Sequence, residues 1–237
     1  MSGNIWVVVE HWRGQLSEIS FEVLALGREL AGELGVRLEA VLLGTNVRPL
    51  AAGLGAADSV LCAEHPALAE LSSEACVAAL AQLATARAPR LIMTPLTNVS
   101  LSLGTLLAEK LCWTPVNFCR NVRVSGGSLV AEAVLYGGKM EVTVAIHHRP
   151  AVLGVWPGAR PVDQGRLAGA PALENVSVTL PQPKVRFRRY LEPEAGDIDI
   201  SQAECLVAVG RGIQDKQNLQ LAEELAESLG GAVCGSR

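Results

Sequence analysis

Residues 5–9 are apolar without interruption, and Val7, Val8 and Val9 are β-branched. A run with no polar alternation predicts a strand buried on both faces, over residues 4–10. The apolar positions then change period, with Val23, Leu24, Leu30 and Leu34 recurring at helical spacing from about Ser20 until Gly35 stops the helix. Residues 38–43 and 59–62 read as further strands, with a short helix at 47–54 between them. Ser72 and Ser73 can cap an Ala- and Leu-rich helix running to about residue 86, Pro89 breaks it, and residues 91–94 supply another strand. Asn98 or Ser100 can cap the next helix, which ends near Leu111. Strand and helix alternate throughout, so the expected class is α/β, an open, mostly parallel sheet flanked by helices.

From Pro115 the rhythm becomes that of hairpins. Strands are predicted at 117–124, 129–136 and 140–146, separated by Ser125-Gly126-Gly127-Ser128 and by Gly137-Gly138. This is an antiparallel hairpin extension of the sheet, with residues 151–155 as one more strand beside it. Residues 158–182 are rich in Gly, Pro and Ala and predict a segment that wraps away from the first domain, and residues 183–193 carry one short strand. A new βα unit then opens: a strand at 205–209, the turn Gly210-Arg211-Gly212, a helix at 218–229 with Leu221, Leu225 and Leu229 on one face, and a strand from 232. Two strands cannot close a core of their own. The last part therefore reads as an incomplete second, Rossmann-like α/β domain. The expected division is an N-terminal domain over 1–182, a linker over 183–200 and the start of a second domain over 201–237.

Composition narrows the classes. Half the chain is apolar but only 4% is aromatic, so burial falls to Val, Leu, Ile and Ala, as in ordinary α/β proteins. A formal net charge of −4, with no basic stripe beyond Arg186, Arg188 and Arg189, argues against a nucleic-acid partner. Residues 5–9 are too short for a signal-peptide core, and no apolar stretch of roughly 20 residues predicts membrane insertion. The six cysteines form no CxxC pair, which suits reduced, buried thiols and a cytoplasmic setting.

Few residues offer chemistry. His147 and His148 are adjacent on a strand and point to opposite faces, so they do not readily share a metal ion. Lys139 follows a glycine turn and reads as a solvated charge, Trp6, Trp12, Trp113 and Trp156 as core or interface residues, and Cys234 as packing. The informative segment is strand, Gly210-Arg211-Gly212, helix, because a glycine turn there can aim backbone N–H groups at an anion. The spacing begins like GxGxxG but has Asp215 at the third glycine position, so the pattern alone leaves an ordinary βα turn open.

That segment also carries a resemblance. Val209-Gly210-Arg211-Gly212-Ile213 through Asn218, then 222–226, Leu229-Gly230, Ala232-Val233 and Gly235-Ser236-Arg237, resembles the opening of the flavin domain in electron transfer flavoprotein α subunits. Residues 5–11, 29–35, Tyr136-Gly137-Gly138-Lys139 and Pro157-Gly158-Ala159-Arg160-Pro161 resemble landmarks of the same family in the same order. The resemblance implies an electron-carrier subunit of a heterodimer rather than an enzyme. It implies FAD as cofactor, with Arg211, Ser236 and Arg237 toward the flavin and Gly210 and Gly212 in the turn. Its partners would be the β subunit, acyl-CoA or other dehydrogenases as donors, and a quinone oxidoreductase or other redox acceptor. The family's flavin domain continues for roughly one more half, whose landmarks these residues do not include. The expectation is therefore that the 237-residue chain holds no tightly bound FAD. The competing reading is a nucleotide- or partner-binding α/β module without redox activity.

Overall fold

The computed structural model describes residues 3–70, 72–147, 150–182, 184–185, 187–191 and 203–235. The chain divides into two compact units, Met1–Phe187 and Arg188–Arg237.

The first unit is built on a nine-stranded sheet. Its strands are β1 (Ile5–Val8), β4 (Leu38–Gly44), β5 (Ser59–Glu64), β6 (Leu91–Pro95), β7 (Thr114–Ser125), β8 (Ser128–Leu135), β9 (Met140–Ile146), β10 (Ala151–Val155) and β11 (Ala172–Asn175). A short hairpin of β2 (His11–Trp12) and β3 (Gln15–Leu16), which the sequence pattern does not signal, follows β1. The helices are α1 (Glu18–Leu34), α2 (Ser73–Arg87), α3 (Leu103–Leu111) and the single turn α4 (Val162–Gly165). The sheet order is β11-β5-β4-β1-β6-β10-β7-β8-β9; every pair from β11 to β7 is parallel, and β7-β8-β9 is antiparallel.

Alternation along the strands supplies two cores. Ile5, Val7, Leu38, Leu42, Leu91 and Met93 face α1, whereas Trp6, Val8, Val41, Leu61 and Ile92 pack with residues of α2 and α3. Both faces are covered, which is why the strands read as unbroken apolar runs. Helix ends follow the expected chemistry in two places. Gly35 takes the left-handed conformation at φ 62° that closes α1, and the Ser72 hydroxyl accepts from the Ala75 N–H at the start of α2.

As expected, β10 lies beside the hairpin extension, next to its first strand β7; it is threaded between β6 and β7, parallel to both, because its all-apolar residues need cover on each face. Three expectations are corrected. Residues 158–182 do not wrap away. α4 lies against α1, β11 adds to β5, and Val176, Val178 and Leu180 pack on the core under α2. The predicted cap Ser100 lies outside α3, and its hydroxyl serves Glu10 instead. Among the described residues of 183–193 no strand appears.

The second unit contains β12 (Leu206–Val209) and β13 (Ala232–Gly235), paired in parallel and joined by α5 (Leu219–Ser228). Ala222 and Ala226 are the buried residues of α5, while Leu221, Leu225 and Leu229 are 66%, 51% and 56% exposed. The predicted leucine face is therefore not the face that packs on this sheet. Small residues let the helix approach two strands closely, and the leucines remain uncovered among the described residues. No helix of the described residues is long and apolar enough to cross a membrane, and no cluster among them could hold a metal ion.

Candidate functional site

In the second unit the C-terminal ends of β12 and β13 open onto a crevice of about 710 Å³. Its walls are Val209, Gly210, Arg211, Ile213, Leu219, Val233, Cys234 and Gly235. Parallel α/β sheets place ligands at this end of their strands. Of the residues expected from sequence, Gly210, Arg211 and Gly212 share the turn leaving β12, and all three are exposed. Ser236 and Arg237 lie outside the described residues, as does His148.

The turn is organised by its own backbone. Ile213 donates to the Gly210 carbonyl at 3.1 Å, and Gln214 to Arg211 at 3.2 Å. Asn218 locks it from below, its side-chain amide donating to the Ile213 carbonyl at 2.9 Å. Asp215, which spoils the dinucleotide fingerprint, has a local function: its carboxylate accepts from the Gln217 N–H at 3.1 Å and caps the short 3₁₀ turn Lys216–Asn218. Gln214 carries the strain of the corner, at φ 63° and ψ −54°.

Neither Gly210 nor Gly212 has a positive φ, and a Cβ built on either would meet nothing within 4 Å. The conformation of the turn therefore does not require glycine, whereas close approach by a ligand would. The lining also includes residues the sequence reading did not single out. Cys234, read as packing, is half-buried on the wall, and Val209, Ile213 and Leu219 give the crevice an apolar floor.

The first unit has a second position where α/β folds bind ligands, the switch point between β1 and β6 where the strand order reverses. It is filled. The Glu10 carboxylate, 8% exposed, accepts from Thr97 at 2.6 Å and from Ser100 at 2.8 Å, both after β6. About 30 Å³ remains among Val8, Leu43, Cys76, Pro95 and Leu103. That is room for roughly two waters, against the several hundred Å³ of a nucleotide pocket.

Comparison with known proteins shows the family. The electron transfer flavoprotein domain matches residues 5–181, and the electron transfer flavoprotein FAD-binding domain matches residues 199–237. A protein FixB from Clostridium saccharobutylicum is 34% identical over 99% of this chain and 72% of its own length. The electron transfer flavoprotein α subunit of Clostridium acetobutylicum is 33% identical over the same shares, and that of Bacillus subtilis 28% identical over 100% of this chain and 73% of its own. The chain thus belongs to the electron transfer flavoprotein family as an α-subunit-type protein, an electron carrier rather than a catalyst of bond chemistry.

Proposed function

We propose that this protein acts in a heterodimer with an electron transfer flavoprotein β subunit, holding FAD with its second unit and relaying electrons from dehydrogenases, acyl-CoA dehydrogenases among them, to a quinone oxidoreductase or other redox acceptor. On this reading the functional division is a scaffold domain at 1–182, a linker at 183–200 and a flavin-binding segment at 201–237. The observation that carries it is the exposed Gly210-Arg211-Gly212 turn at the mouth of an apolar crevice at the strand C-termini.

The residues present fit the cofactor. Glycine at 210 and 212 leaves the backbone open to close approach, and the apolar floor suits a flat ring system. The flavin, when bound, supplies the redox chemistry by taking up and releasing electrons. What the chain contributes is position and charge. The guanidinium of Arg211, with that of Arg237, would provide positive charge that favours a reduced, anionic ring, and the Ser236 hydroxyl would offer a hydrogen bond.

With Gly210, Arg211, Gly212 and Gly235 all exposed, the described walls leave the crevice open to solvent. The isolated 237-residue polypeptide is accordingly expected to retain FAD weakly. Support for a nucleotide-binding module is poor, since Glu10 fills the switch point with a carboxylate and little space.

The test is optical. Co-purified with a β subunit, the protein should show flavin absorbance, and Arg211→Gln should weaken FAD binding by roughly 10- to 100-fold, the worth of one charge-assisted contact. A flavin-free complex that cannot be reconstituted with FAD would refute the proposal.

A further inference from the structure

At the end of the first sheet opposite Glu10, the chain entering β6, β7 and β10 borders a crevice of about 770 Å³. Thr85, Arg90, Leu111, Trp113, His147 and Pro150 are among its walls, and among the described residues no aspartate or glutamate is. The volume lies in the range of small-molecule sites.

Arg90 is fixed there by its backbone. Its N–H donates to the Asn4 carbonyl at 3.0 Å, and its own carbonyl accepts from the Ala151 N–H at 3.4 Å. Its Nε is buried yet has no hydrogen-bond partner, the only such side-chain nitrogen or oxygen among the described residues. Leaving a charged donor unpaired in this way costs stability, and with its Nε sealed from solvent Arg90 can meet a partner only through the rest of its side chain, on the crevice wall. A guanidinium presents its donors as a planar fork that matches a carboxylate. Half-buried Trp113 and Leu111, with Pro150, add apolar surface beside it.

We propose that this crevice binds a carboxylate carried on a flat, apolar body, with Arg90 taking the charge and Trp113, Leu111 and Pro150 covering the body. The C-terminal ends of α2 and α3 border the site. Their exposed carbonyls are partly satisfied, with Ala88 donating to Ala84 at 2.8 Å and Trp113 to Ala108 at 2.9 Å. The remaining negative dipole works against an anion and sets the expected affinity in the millimolar range.

The probe is benzoate, with benzyl alcohol as its uncharged match, titrated into the 237-residue chain and followed by tryptophan fluorescence. Benzoate should produce a saturable change that Trp113→Phe abolishes and that benzyl alcohol does not reproduce. Arg90→Gln should weaken benzoate at least tenfold. Thr85→Glu, which adds an acid to the wall without touching Arg90, should do the same and decides the matter should Arg90→Gln fail to fold. Equal binding of benzyl alcohol, unchanged benzoate affinity in these variants, or no saturable signal would overturn the proposal.

Discussion

Trp6 and Glu39 stand directly opposite each other on β1 and β4, and the indole N–H donates to the carboxylate at 2.7 Å. Both are buried, and among the described residues the other carboxylate oxygen has only the Ser59 hydroxyl, at 3.4 Å. Trp6→Phe would keep most of the ring's burial but strip the carboxylate of its short hydrogen bond. The expected loss is about 1–3 kcal/mol. Adding Glu39→Gln should recover part of it, because a neutral amide is cheaper to leave underpaired. Urea unfolding of the two single variants and the double variant checks both statements.

The contact between α4 and α1 depends on a missing side chain. A Cβ on Gly165 would collide with the Phe21 carbonyl, and helix backbone cannot yield as a flexible side chain can. Gly165→Ala should therefore destabilise the first unit by about 1–3 kcal/mol or more. Gly32→Ala in α1, where the added Cβ meets nothing within 4 Å, should be neutral or stabilising. Paired thermal melts separate the two.

Asp58 ties the end of α1 to the start of β4. Burial raises its pKa, but the Leu38 N–H at 2.7 Å and Arg28 at 3.0 Å, with help from Arg37, outweigh that and hold it below the ordinary 3.8. A depressed folded pKa contributes stability above the unfolded value and loses it as pH falls through the folded one. Asp58→Asn should thus be less stable than the parent near neutrality, with the gap closing as pH falls below about 4. Denaturation midpoints at pH 6 and pH 3 measure it.

The thiols should separate by exposure. Cys112 is exposed, whereas burial pushes Cys76 to about 11 and Cys119 to about 12. In the folded protein at pH 8, Cys112 should react with a disulfide reagent in the fast phase, and Cys76 and Cys119 only on unfolding. Loss of fast-phase amplitude in Cys112→Ser is the check.

Much of this fold was legible because local chemistry and tertiary role agree. Gly35 stops a helix by its own conformational freedom, and Ser72 caps one with its own hydroxyl. Where they part, the sequence misleads. Ser100 has the chemistry of a cap, but a residue 90 positions earlier claims it. That β10 sits on the β7 side of the extension, parallel and wedged against β6, could not be read from order along the chain, since the strand that follows β9 is inserted three strands back in the sheet. At the site, the glycine turn announced itself by pattern. The capping role of Asp215 and the wall position of Cys234 depend on how the chain bends after Gly210, which no spacing encodes.

The return of the chain to β11 bears on how this sheet meets other sheets. β5 would otherwise offer a long, flat row of unpaired backbone groups, a ready template for a neighbouring chain. Instead the outermost strand on that side is four residues long, with Glu174 held by Arg87. Strand addition is left one longer address, β9, where Glu141 is engaged by Arg120. A cut between Val155 and Ala172 would open a second address, and the same protein would then be prone to edge-to-edge assembly.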